Sequence, residues 1–205
     1  MKDASGITVE GVWDSGALDV ARVSGPDVVY TAEVNAKYQA HGEGCAKLVA
    51  SGVTIEGSFK NGAVCGHDVV KLDDGTLVYK GSFMESTYHG DGVLHYLDGS
   101  KARFEGHMKR GYPHGKGKLK VGLQIRYEGE WKKGKPHGEG VVITREGNRA
   151  RCLFDKGKLV RTLQFSPVPD SSGEESHSQT EELNVTNVSF DISSDAEVGT
   201  PFNNN

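Results

Sequence analysis

The chain of 205 residues carries 24 Lys or Arg against 28 Asp or Glu, and its 28 glycines are about twice the number that ordinary usage supplies. Six prolines and no glycine at every third position exclude a collagen helix, and no run of roughly 18 apolar residues reads as a membrane-spanning helix. Three cysteines, Cys45, Cys65 and Cys152, without CxxC spacing argue against a disulfide framework or a zinc site. Met1-Lys2-Asp3-Ala4-Ser5-Gly6 lacks the apolar core of an export signal, so the expectation is a soluble cytoplasmic protein with reduced thiols. In that setting the sequons at Asn184 and Asn187 stay unmodified.

Along the chain, an aromatic or β-branched residue followed two positions later by glycine returns every 23 to 25 residues. Val9, Gly11, Trp13 and Gly16 give an opening half-unit. Tyr30 begins a unit that keeps His41, Gly42 and Gly44, but Ala32 and Val34 stand for the first-half glycine and aromatic. The next has Ile55, Gly57, Phe59 and Gly62, then a scrambled Cys65-Gly66-His67, and ends on Asp74-Gly75. Three close copies follow: Tyr79, Gly81, Phe83, His89, Gly90 and Gly92; Phe104, Gly106, Met108, Gly111, His114, Gly115 and Gly117; Tyr127, Gly129, Trp131, Gly134, His137, Gly138 and Gly140. Ala150, Cys152, Phe154 and Gly157 form a closing half-unit. Degenerate end units are expected where terminal copies cap a stack.

Within one unit, Tyr127, Gly129 and Trp131 alternate with Glu128 and Glu130, the two-residue period of a half-buried strand. Lys132-Lys133-Gly134-Lys135 supplies a turn in which Gly134 takes a positive φ, and a second strand runs from Gly138 to about Thr144. Gly75, Gly99 or Gly147 closes each unit with another tight turn. A lone hairpin is marginal in water, so the units are stable only stacked, with aromatic rings laid over the flat glycine backbone. The predicted fold class is all-β: an open, single-layer antiparallel array of stacked hairpins over residues 1–165, with a disordered tail over 166–205.

The string YxGxWxxGxxHGxGxxxxxxG, as in Tyr127 to Gly147, resembles the MORN repeat, named for membrane occupation and recognition nexus. The resemblance covers 79–157 well and 9–75 loosely. It implies a non-enzymatic scaffold or adaptor that binds a helical or extended segment of a cytoskeletal or motor-type protein. The setting it implies is cytoplasmic, at the cytoskeleton, a cilium or a membrane junction.

Tyr79, Phe83, Phe104, Tyr127 and Trp131 form the candidate partner-contact set, although packing between repeats makes an equal claim on them. Tyr88 and Tyr112, read as turn residues, are the better exposed candidates. The alternative is a peripheral tether for anionic phospholipid through the basic stretch 101–135, with Lys109, Arg110, Lys116, Lys118, Lys132, Lys133 and Lys135 as the contact residues. A pI near 6.1 and the lack of a recognition module argue against nucleic acid. His41, His89, His114 and His137 recur with the repeat and read as turn or strand-start residues, not as catalytic or metal groups. No triad spacing or phosphate loop is present, so no catalytic residue, cofactor or metal is expected. Self-association through the open sheet ends is a further expectation.

Residues 166–205 hold eight Asp or Glu and no Lys or Arg, leaving 24 basic and 20 acidic residues before them. That segment is too polar to bury a core and is expected to be disordered. Inside it Leu183 to Ile192 mixes apolar and polar residues in the manner of a strand that adds to a sheet edge.

Overall fold

A computed structural model describes residues 7–14 and 17–168; for 12–14 and 17–19 it describes the backbone alone. The described residues form fourteen strands and no helix. They are β1 (Thr8–Asp14), β2 (Ala17–Ser24), β3 (Val28–Val34), β4 (Ala40–Leu48), β5 (Val53–Lys60), β6 (Ala63–Leu72), β7 (Leu77–Met84), β8 (Thr87–His95), β9 (Ala102–Lys109), β10 (Tyr112–Val121), β11 (Gln124–Lys132), β12 (Lys135–Ile143), β13 (Arg149–Asp155) and β14 (Lys158–Ser166). Two compact units are present, one of residues 7–95 with 108–111, the other of 96–107 and 112–168. In each unit the strands follow one another in sequence order, and every resolved pairing is antiparallel. The fold is the expected all-β, open, single-layer array of hairpins.

Val9 and Ala150 each open a complete two-stranded hairpin, where the sequence pattern gives only half a unit. The second strands there, β2 and β14, lack the glycine signature, yet Val20, Val23, Val160 and Thr162 suit the pleated backbone. The strand-addition segment at 183–192 and nearly all of the acidic tail lie outside the described residues.

From β5 onward the turn inside each hairpin has two residues, both at positive φ, as at Asn61 52° and Gly62 84°, Lys133 51° and Gly134 78°, Lys156 50° and Gly157 85°, whereas β3 and β4 are joined by the five residues 35–39. This mirror-image turn matches the right-handed twist of the strands it joins. Glu85-Ser86 makes the same turn without glycine, and there the Ser86 hydroxyl accepts a bond from the Val64 amide. The second turn residue also stitches its hairpin to the preceding one. The Gly62, Ser86 and Gly111 amides donate to the carbonyls of Ala40, Val64 and Tyr88. In the other unit Gly134 and Gly157 donate to Pro113 and Pro136. Each acceptor is a first or second residue of the previous hairpin's second strand.

The histidine-glycine motif makes neither the turn nor the strand start that the sequence led us to expect. Gly129 pairs with Gly140 and Trp131 with Pro136, so Glu130 alone faces His137-Gly138-Glu139 in an enlarged bulge of three residues against one. Ser82 faces His89-Gly90-Asp91 and Glu33 faces His41-Gly42-Glu43 in the same way. Gly42, Gly90 and Gly138 sit there at φ 73°, 68° and 67°. A side chain on Gly138 would also collide with the Glu130 carboxylate. The motif therefore encodes two extra residues in the second strand, with the glycine needed both for its backbone conformation and for space.

Candidate functional site

Each well-formed hairpin is organised around one ring laid across two glycines. Tyr127 lies over Gly129 of its own strand and Gly140 of the next, and a Cβ on Gly140 would stand 2.5 Å from the ring carbon Cζ. A Cβ on Gly129 would stand 2.5 Å from the Gly140 Cα. Tyr79 crosses Gly81 and Gly92 in the same manner, and Phe104 crosses Gly106 and Gly117. The Tyr79 and Tyr127 hydroxyls donate to the carbonyls of Ser82 at 3.0 Å and Glu130 at 2.9 Å. Burial holds both phenols, and that of Tyr88, in the neutral form well above the usual tyrosine range, with smaller contributions from Tyr88 and Asp91 at Tyr79 and from Glu130 at Tyr127.

The rings then join hairpin to hairpin. Trp131 meets Phe104 edge-on at 5.1 Å and Tyr127 at 5.4 Å, and its indole N–H donates to the Gly117 carbonyl at 3.2 Å. Tyr127 meets Phe154 of the following hairpin at 5.4 Å. In the other unit the ring contacts stay within one hairpin: Tyr79 stacks on Tyr88 at 4.0 Å, and Phe83 meets both edge-on.

These contacts correct the proposed apolar contact surface. Tyr79, Phe83, Phe104, Tyr127 and Trp131 are buried and supply the core, so packing takes the claim that partner contact shared with it. Tyr88 is also corrected. It lies in β8, 2% exposed, because the turn is completed two residues earlier at Glu85-Ser86. Tyr112 alone of the seven candidates is open, 51% exposed, beside the Gly134 turn.

The basic candidates divide into two groups. On the strand surface Lys118 pairs with Glu128 at 3.0 Å, and Lys120 and Arg103 both close on Glu105, holding its carboxyl below the usual range. Lys109, Arg110, Lys116, Lys132, Lys133 and Lys135 are exposed, and none belongs to an ion pair among the described residues. In the second unit the hairpin-turn edge brings together Tyr112, Lys132, Lys133 and Lys135 with Lys156 and Lys158. Gly134 bonds Pro113, Gly157 bonds Pro136, and Gly157 lies against the Lys135 side chain. Lys156 and Lys158 were not singled out from sequence, although Lys156-Gly157 repeats the Lys133-Gly134 pattern.

Asp68 is a second feature that the sequence did not announce. It occupies the place of Gly92 and Gly140 in the scrambled unit, where Ile55 stands for the tyrosine. The shorter side chain leaves room that the carboxylate fills, and a Cβ on Gly57 would fall on it. Asp68 is 1% exposed; Oδ1 accepts the Ser58 amide at 2.8 Å, while Oδ2 is buried without a hydrogen-bond partner. Burial raises its pKa; the Ser58 amide and His67 oppose the shift and Glu43 adds to it. A carboxyl raised in the folded state binds its proton more tightly there than in the unfolded chain. Stability should therefore rise as pH falls from above the folded pKa toward the ordinary value of 3.8, and decline again on the return. Chemical unfolding between pH 4 and 7 should show this slope in the native chain and a flatter one in Asp68→Asn; equal slopes would refute the assignment.

No group of three or more His, Cys, Asp or Glu among the described residues is arranged to hold a metal ion. No described helix is long and apolar enough to cross a membrane.

The family model of the MORN repeat matches residues 79–101, 104–120 and 127–149. A search of the curated proteins finds no match. MORN repeats are generally non-catalytic modules that bind proteins or membranes. The matched segments open on Tyr79, Phe104 and Tyr127, the three rings that lie across paired glycines. With three such copies, the chain is a MORN repeat-containing protein.

Proposed function

We propose that the chain is a non-enzymatic scaffold or adaptor whose repeats bind a helical or extended segment of a cytoskeletal or motor-type partner in the cytoplasm. The supporting observation is the hairpin-turn edge of the second unit, where exposed Tyr112 stands beside Lys132, Lys133 and Lys135. An amphipathic ring flanked by cations suits a partner segment that presents apolar and acidic side chains together. The test is a pull-down from source-cell lysate with the native chain and with Tyr112→Ala/Lys133→Glu, whose folding is checked by circular dichroism. A stoichiometric protein retained by the native chain and lost from the folded variant is the expected result. Equal retention by both would remove this edge from the binding site.

The exposed, unpaired lysines also favour a second reading, attachment to anionic phospholipid. Each such side chain near a charged bilayer contributes roughly 1 kcal/mol. Lys118, held by Glu128, contributes less than Lys109, Arg110, Lys116, Lys132, Lys133 and Lys135. Co-sedimentation with phosphatidylserine-containing vesicles should then fall steeply with salt and with Lys132→Glu/Lys133→Glu, but hardly with Tyr112→Ala. Binding that ignores salt would eliminate this reading.

A further inference from the structure

We propose that the basic hairpin-turn edge of the second unit is occupied by the chain's own acidic tail, with Glu181 and Glu182 seated on the lysine row. The contact is intramolecular and needs no outside partner. The edge is built by two adjacent turns, Lys133-Gly134 and Lys156-Gly157, and carries five exposed lysines: Lys132, Lys133, Lys135, Lys156 and Lys158. Among the described residues, the carboxylates next to it are Asp155, which stands 3.4 Å from the His137 ring nitrogen, and Glu130, which lies against Gly138, two against five lysines. Residues 166–205 supply the complement, eight carboxylates and no cation.

The path of the chain selects which carboxylates arrive. β14 starts at this edge with Lys158 and runs away from it to Ser166. The described chain ends at the opposite edge, where the Val168 amide donates to the Asn148 side chain at 3.0 Å and Val168 packs on Gly147. Returning along a strand of that length needs roughly 27–30 Å. Asp170 lies two residues beyond Val168 and falls short, while Glu174 and Glu175, with a backbone reach of roughly 20–25 Å, touch the lysines only with chain and side chains fully stretched. Glu181 and Glu182 are 13 and 14 residues on, a reach of about 43–50 Å, and are the first carboxylates to arrive with slack; Asp191, Asp195 and Glu197 would close a longer loop at greater entropic cost. Opposite charges held within a few ångströms at an exposed edge attract modestly and are screened by salt, so the contact is reversible.

The test is zero-length carbodiimide coupling on the full chain at low concentration, with the monomer isolated and its cross-links mapped by mass spectrometry. Glu181 and Glu182 should couple to Lys132, Lys133, Lys156 or Lys158, with yield falling at least about fivefold between ~0.05 M and ~0.5 M salt. In parallel, Glu181→Gln/Glu182→Gln should move the backbone amide signals of residues 132–135 and 155–158 toward their high-salt positions in the native chain. Couplings concentrated on Lys101 and Lys120 at the opposite edge would overturn the proposal, as would amide signals indifferent to the double substitution.

Discussion

Replacing Tyr127 with alanine should lower the unfolding free energy by about 3–5 kcal/mol, the range for deleting a fully buried aromatic side chain. Tyr127 is 0% exposed, crosses two strands, and touches Trp131 of its own hairpin and Phe154 of the next. Its loss therefore opens a cavity and cuts two edge-on ring contacts at once. Against a domain stability of about 5–15 kcal/mol the effect is large. Tyr127→Phe keeps the ring and removes only the bond to the Glu130 carbonyl, so about 0.5–1.5 kcal/mol should go. Urea titration followed by tryptophan fluorescence reads both, since Trp131 reports on the same cluster. A loss below about 1 kcal/mol for the alanine variant would mean that the ring does not organise the hairpin.

Gly140→Ala approaches the same contact from the other side. Its new methyl would lie 2.5 Å from the Tyr127 ring carbon Cζ, which no packed structure tolerates, so the ring must leave its place. Overpacking of this kind costs about 1–3 kcal/mol. Gly129→Ala should cost more, because the atom in the way is the Gly140 backbone and cannot rotate aside. The cause is space, as the pairing of Gly129 with Gly140 brings two backbones face to face under one ring. Gly122, at φ 60° with nothing within 4 Å of where a methyl would sit, isolates the other reason for a glycine, and alanine there should cost only about 1 kcal/mol. In a Tyr127→Ala background the Gly140→Ala penalty should largely vanish, giving a coupling within the roughly 0.5–3 kcal/mol seen for touching residues. Additive losses would show that the glycine answers to something other than the ring.

Ring and glycine are legible in the sequence because they recur at fixed offsets, and only a hairpin places residues two and thirteen positions after Tyr127 beneath it. Other elements were hidden for definite reasons. Tyr88 was read as a turn residue because Ser86 takes the left-handed conformation without the glycine that normally marks it. The histidine-glycine motif looks like a turn locally, and only the cross-strand register shows three residues opposite one. Asp68 was invisible because its burial follows from a loss elsewhere, the tyrosine replaced by Ile55. Of the basic surface, the clustering in sequence was plain, but the division between paired Lys118 and unpaired Lys132 depends on Glu128 lying directly across the ladder.

The stitching bonds at the hairpin tips give each unit a direction. Among the backbone bonds that join these tips the later hairpin donates and the earlier one accepts, Gly62 to Ala40, Ser86 to Val64, Gly111 to Tyr88, Gly134 to Pro113 and Gly157 to Pro136, while side chains return bonds from the Val64 amide to the Ser86 hydroxyl and from Asn35 to Asn61. During synthesis the acceptor carbonyl is thus already in place when the donor emerges, and a growing chain can add hairpins one at a time to a finished template.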